Sequence, residues 1–246
     1  MSKHVEVLPN SSALVDRTLQ VVLEEIHRAL EQRDRATVVL SGGNTPKPLY
    51  EALAAQDLPW SKLHVFWGDE RYVSAGDPAS NQRMARQTWL DKVPIPAENI
   101  HGMATDGESP EADAERHEAQ LRDFFKLNPG DFPVFDIMLL GMGDDGHTAS
   151  LFPHTDALQV CDRAVTVGHK DGQPRLTLTV PVLNLSRCVI FMVAGANKQT
   201  ALSRVLAPSG DEDTYPARLV QPLNGTLWWL LDSEAGSSIS VTDTDS

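Results

Sequence analysis

Residues 135–153 read FDIMLLGMGDDGHTASLFP. An apolar run ends in a glycine-rich loop, and GMGDDG within it has the spacing G-x-G-x-x-G. After a strand, that spacing is the fingerprint of a dinucleotide-binding turn. Three features contradict that use here. Asp144 and Asp145 stand where a pyrophosphate needs room and positive potential. Pro153 follows Gly146 within seven residues, too soon for a crossover helix. The acidic residue expected about twenty residues later, at the end of a second strand, has no counterpart, because Asp162 precedes its strand. The glycines are read as turn glycines, and no nicotinamide cofactor is expected.

Outward from this loop, short apolar or β-branched runs alternate with amphipathic segments. Strands are expected at 4–8, 36–40, 63–67, 134–140, 164–168, 175–180, 187–194 and 226–231. A helix is expected from Asn10, where Val15, Leu19, Val22, Ile26 and Ala29 step along one face. Asn10, Ser11 and Ser12 offer N-caps for it. Further helices are expected at 46–56, 81–93, 109–127 and 197–206. The alternation predicts an α/β fold with a mostly parallel open sheet and helices on both faces, Rossmann-like in layout. RLTLTV (175–180) and RCVIFMVA (187–194) lie close together with no full helix between, so part of the sheet is expected to be antiparallel. No linker interrupts 1–232, which reads as one domain. The tail 233–246, SEAGSSISVTDTDS, is expected to be disordered.

The chain has 246 residues, 41% apolar, enough for one sizeable core or two small ones. No window approaches the roughly 18 consecutive apolar residues of a membrane-crossing helix. The start, MSKHVEVLPN, lacks the apolar stretch of a signal peptide. Cys161 and Cys188 form no CxxC and suggest a reducing compartment, so a cytoplasmic location is expected. A net charge of −13 disfavours nucleic acid and anionic membrane as partners. A few convergent cations could still hold one small anion.

In open α/β sheets, ligands sit beyond the carboxyl ends of strands. Four loops follow strong strands: 41–48, 68–82, 141–153 and 194–199. In the first, Gly42 and Gly43 free the backbone to bend, and Thr45 can cap a helix starting at Pro46. Free N–H groups there suit an anion, although the loop taken alone reads more readily as a tight turn with an N-cap. In the third, Asp145 and His147 suit a general base and its orienting partner. The chain has eight histidines, and His147 alone shares a glycine-rich strand-end loop with two aspartates. No H-x-x-x-H or Cys/His cluster points to a metal.

SGGNTPKPLYEAL, FWGDERYVSAGDPASNQRMAR, FDIMLLGMGDDGHTASLFP, PRLTLTVPVLNLSRCVIFMVAGANKQTAL and YPARLVQPLNGTLWWLLD lie in order from about Ser41 to Asp232. Together these blocks resemble the glucosamine-6-phosphate isomerase/6-phosphogluconolactonase family, on its lactonase side. The resemblance implies a sugar-phosphate isomerase type of fold over 1–232. It also implies hydrolysis of 6-phospho-D-glucono-1,5-lactone to 6-phospho-D-gluconate, the second step of the oxidative pentose phosphate pathway, with no cofactor and no metal. The deaminase branch shares these loops but carries a glutamate five residues after the histidine. Here that position is Phe152, and Asp69-Glu70-Arg71 likewise resembles the lactonase. A sugar-phosphate sensing module without turnover is the third reading. It is disfavoured because no DNA-binding segment or basic stripe is evident.

A δ-lactone is an activated ester, so water, a base and an oxyanion partner suffice. An imidazole, with an ordinary pKa of about 6.5, suits the base near neutral pH. His147 is that candidate, oriented by Asp145. Arg71 is the candidate for the oxyanion, with Asp69 in the same catalytic group. Arg71 could instead bind phosphate, pair with Asp69, or sit in a surface turn. The 6-phosphate is assigned to Gly42, Gly43, Asn44 and Thr45. By resemblance to the family's PxRxTLT and GxxK motifs, Arg175 and Lys198 join them. Lys198 begins a predicted helix, where its charge opposes the dipole, which suits a ligand role. Arg175 could also be a strand-edge residue facing water. The expected partner is a phosphorylated sugar lactone, and the expected state a monomer or small homo-oligomer.

Overall fold

The computed structural model describes residues 2–239. It opens with β1 (Ser2–Leu8) and the long α1 (Ser11–Arg33). Asn10 caps α1 by accepting the Ala13 N–H at 2.9 Å, and Asp34 ends it in the left-handed region at φ 56°. Then follow β2 (Ala36–Leu40), α2 (Lys47–Ala54), β3 (Leu63–Trp67), β4 (Asp69–Arg71), α3 (Asn81–Thr88) and α4 (Pro110–Phe125). The second half contains β5 (Ile137–Leu140), β6 (Val165–Lys170), β7 (Gln173–Leu178), α5 (Val180–Leu185), β8 (Cys188–Val193), α6 (Gln199–Leu206) and β9 (Thr226–Asp232).

Six strands form an all-parallel sheet in the order β1-β9-β8-β5-β2-β3. Successive strand residues point to opposite faces, and two cores divide along that alternation. Val38, Leu40, Val65, Ile137, Leu139 and Ile190 pack with the apolar faces of α1, α2 and α3. Val39, Phe66, Met138, Leu140, Val189 and Phe191 pack on the other side with α4, α5 and α6. Both faces are covered, which is why the central strands read as unbroken apolar runs. Phe191 and Trp229, register partners on β8 and β9, stack at 3.9 Å. Each such side chain, fully buried, contributes about 1.5–3 kcal/mol.

From β2 the chain moves outward to β3, then returns to β5 on the other side of β2. The loops after β2 and β5 therefore diverge at a switch point, where a crevice opens beyond the strand ends.

The antiparallel part is not within the main sheet. It is a separate sheet of order β4-β7-β6. Asp69-Glu70-Arg71, expected in a loop, is its edge strand. The run expected at 175–180 ends as strand at Leu178, whose N–H donates to Gly68 O at 2.8 Å. Pro181 then sits in the first turn of α5, an unexpected helix that separates β7 from β8. The helix expected over 81–93 stops as α-helix at Thr88 and tightens into a 3₁₀ turn at Leu90–Lys92. Disorder from Ser233 does not hold for the first part of the tail. Asp232 accepts the Ala235 N–H at 2.8 Å, Ala235 is fully buried, and Ile239 packs on the core. Residues 240–246 lie outside the described part.

Candidate active site

The loop after β2 is pinned at its start. The Tyr50 hydroxyl donates to Ser41 O at 2.7 Å and accepts the Ser41 N–H at 3.0 Å. Gly43 has φ +91°, a region that favours glycine. Gly42 is required for a different reason: a Cβ there would stand 2.0 Å from Asn81 Oδ1. Thr45 does not cap the following helix. Pro46 occupies the N-cap of α2, with no side-chain cap bond.

The loop after β5 folds back on itself. Gly143 N–H donates to His147 O at 2.8 Å, and Thr148 Oγ1 donates to Gly141 O at 2.9 Å. No helix follows the glycines, and Gly146 turns the chain at φ +82°. The turn places His147 Nδ1 2.5 Å from Asp145 Oδ1, which also accepts the His147 N–H at 3.0 Å. Burial alone would raise the Asp145 carboxyl. The His147 ring and N–H, with the charges of His147 and Lys170, hold it well below the usual carboxylate range. An ionised carboxylate only accepts, so Nδ1 carries the ring proton and the Nε2 lone pair is available as a base.

β4 and β7 supply the cations. Arg71 and Arg175 are directly opposed across the ladder. The Arg71 guanidinium donates through Nη1 to Ala79 O at 2.8 Å, and its Nε is buried with no partner. Burial, then the neighbouring Arg71, lowers the Arg175 pKa. Among the described residues, neither arginine forms an ion pair with a carboxylate, Asp69 included. Like charges facing each other on a ladder are destabilising, and an anion between them would relieve that cost.

The crevice is a cavity of about 420 Å³. Its wall includes Gly42, Gly43, Asn44, Thr45, Asp69, Arg71, His147, Arg175 and Lys198. Of the candidates read from the sequence, only Asp145 is not on the wall; it reaches the crevice through its bond to His147. Lys198 is the N-cap of α6, as its position at the start of a predicted helix implied. Arg175 is not set apart from the catalytic group: it faces Arg71. Among the described residues, no group of three or more His, Cys, Asp or Glu side chains could hold a metal ion. No helix of the described residues is long and apolar enough to cross a membrane.

Sequence reasoning missed the residues that hold this wall together. Asn81 Nδ2 donates to Asp69 O at 2.9 Å, tying α3 to β4 beneath Gly42. Ser150 Oγ donates to Asp69 Oδ2 at 2.7 Å, fixing the carboxylate from the other side. Glu70 is buried and accepts N–H bonds from Arg71, Asn81 and Gln82, each at 2.8 Å. Phe152 lies with its ring centroid 4.5 Å from that of His147. The available signal was the clustering of polar residues in DPASNQ and GHTAS, although nothing in those strings shows that they meet.

Known proteins resemble this chain over nearly its whole length. The family model described as glucosamine-6-phosphate isomerases/6-phosphogluconolactonase matches residues 9–229. A 6-phosphogluconolactonase from a Nostoc species is 58% identical over 98% of this chain and all of its own. The structure of 6-phosphogluconolactonase from Trypanosoma brucei superposes with a TM-score of 0.86 at 30% identity, covering 97% of this chain and 99% of that one. A monomeric glucosamine-6-phosphate deaminase shares the fold, with a TM-score of 0.79 at 20% identity over 95% of this chain and 99% of that one. With its fold and nearly all its length matched in this way, the chain belongs to the glucosamine-6-phosphate isomerase/6-phosphogluconolactonase family.

Proposed function

We propose that this chain hydrolyses 6-phospho-D-glucono-1,5-lactone to 6-phospho-D-gluconate, with His147 as general base. The observation that carries the reading is the His147–Asp145 bond, which leaves Nε2 free in a crevice that also holds two arginines without carboxylate partners. The names of the full-length relatives support the same substrate.

Water attacks C1 as Nε2 takes its proton. The carbonyl π electrons move to oxygen, and Arg71 stabilises that oxyanion. Asp145 stabilises the imidazolium. The oxyanion then collapses, the bond between C1 and the ring oxygen breaks, and the imidazolium protonates the departing oxygen. The product acid loses its proton to solvent. Gly42, Gly43, Asn44 and Thr45, with Arg175 and Lys198, hold the 6-phosphate. Asp69, fixed by Ser150, shapes the wall beside Arg71.

The deaminase reading lacks its carboxylate, because Phe152 fills that position with an apolar ring. The test is lactone consumption measured against the spontaneous background, with wild type and His147→Ala side by side. A general base contributes roughly 100- to 10,000-fold, so the variant should lose at least that lower factor in kcat with little change in KM. Wild-type turnover no faster than background would leave the sensing reading. A folded His147→Ala with near-normal kcat would remove this histidine from the mechanism.

A further inference from the structure

Phe152 is 4% exposed and touches three functional groups at once. The His147 ring packs on it with centroids 4.5 Å apart at 45°. The Arg175 guanidinium carbon lies 5.3 Å from its centroid, and Lys170 Nζ, from the β6–β7 hairpin, also lies at 5.3 Å. A cation within about 6 Å of an aromatic face is attracted by the ring quadrupole.

That contact differs chemically from a salt bridge. A carboxylate that oriented Arg175 would consume its donors and cancel its charge. An aromatic face fixes the guanidinium plane and leaves both the N–H groups and the charge for a ligand. Arg175 is half-buried with no ion pair among the described residues, so its orientation needs such a partner. The same ring packs against the His147 imidazole, which lines the crevice.

We propose that Phe152 is a positioning residue: one aromatic platform that aligns the base His147 with the anion-binding Arg175, so that the scissile carbonyl and the charged end of the substrate are held in register. The proposal rests on the lactonase reading for the identity of the substrate. It goes further in assigning to one apolar side chain the coupling between binding and chemistry.

The test is a double-mutant cycle of Phe152→Leu with Arg175→Ala, read by kcat and KM on the lactone and by calorimetric titration with 6-phosphogluconate. Leucine keeps apolar bulk but has no π face. Phe152→Leu should weaken 6-phosphogluconate binding and raise KM by about three- to tenfold, and should also lower kcat. Phe152→Tyr, which keeps the face, should retain most of both. With Arg175 already removed, Phe152→Leu should cost little further binding. Should the leucine variant fail to fold, Phe152→Met takes its place in the cycle. Wild-type kinetics in a folded Leu or Met variant, or binding losses that multiply independently of Arg175, would overturn the platform. Wild-type protein that binds 6-phosphogluconate without hydrolysing the lactone would overturn the lactonase reading, and the binding cycle would still decide the role of Phe152.

Discussion

Gly143 shows most directly what the glycines of GMGDDG are for. Its φ is not positive, so its backbone does not demand glycine. A Cβ there would nevertheless stand 2.1 Å from His147 Nδ1 and 2.4 Å from Asp145 Oδ1. The missing side chain is the space into which the Asp–His pair folds. Gly143→Ala should therefore displace the pair and lower kcat on the lactone, with modest change in thermal stability because the obstructing atoms are side-chain ends. An unchanged kcat would show that the pair tolerates the shift and does not set the rate. Gly146 is constrained differently, by φ +82° and by Tyr215, whose Cδ1 would lie 2.8 Å from an added Cβ. At this scale the sequence marked candidate residues for the chemistry, since Asp, His and Gly types declare themselves. It did not show that Ser150 fixes Asp69 or that Phe152 meets Arg175, because those contacts join distant segments.

At the scale of elements, the short strand β4 matters beyond its length. Its middle residue, Glu70, turns inward and accepts the N–H groups of Asn81 and Gln82, the first two residues of α3. Its second oxygen also accepts Ser80 Oγ at 3.1 Å. Burial pushes the Glu70 carboxyl up, and the three backbone N–H groups oppose that rise. A carboxylate at a helix start satisfies donors that the helix itself leaves free. Glu70→Gln would turn an NH₂ toward donors it cannot accept. It should destabilise the protein by about 1–3 kcal/mol in urea denaturation and loosen the flanking Asp69 and Arg71. A stability equal to wild type would show that α3 is held by its apolar face alone. The DER triplet advertised Asp69 and Arg71 as functional, and its structural member could not be told apart from them without α3.

At the scale of the whole molecule, acid sensitivity is built into the side of the sheet that α4 covers. His117 on α4 is buried, and burial lowers its pKa to about 4. His101 stacks on Phe66 at 4.3 Å and is likewise lowered to about 4, by burial and then by His64 and His117. The unfolded chain binds these protons near pH 6.5 and the folded chain only near 4, so stability falls as pH drops through that window. His117 alone accounts for on the order of 3 kcal/mol. The melting temperature should decline between pH 6.5 and 4, and His117→Gln should flatten that decline. Identical pH profiles for the two proteins would show that His117 does not carry the effect.

The alternation of apolar runs with amphipathic segments determined the α/β class, the two covered faces and the loops in which to look. Those are local properties: side-chain periodicity and turn chemistry act over a few residues. Strand order was decided only by pairing between distant segments, about a hundred residues apart at the β2–β5 switch point and 224 apart for β1 and β9. The same is true of the separate β4-β7-β6 sheet, which opposes Arg71 to Arg175 and so brings a supposed phosphate ligand beside the catalytic group. It holds too for Ala235 and Ile239, where a polar, weakly apolar tail finds a core to pack on. Burial and register are sums over neighbours, and a sequence states a residue's own chemistry without stating its neighbours.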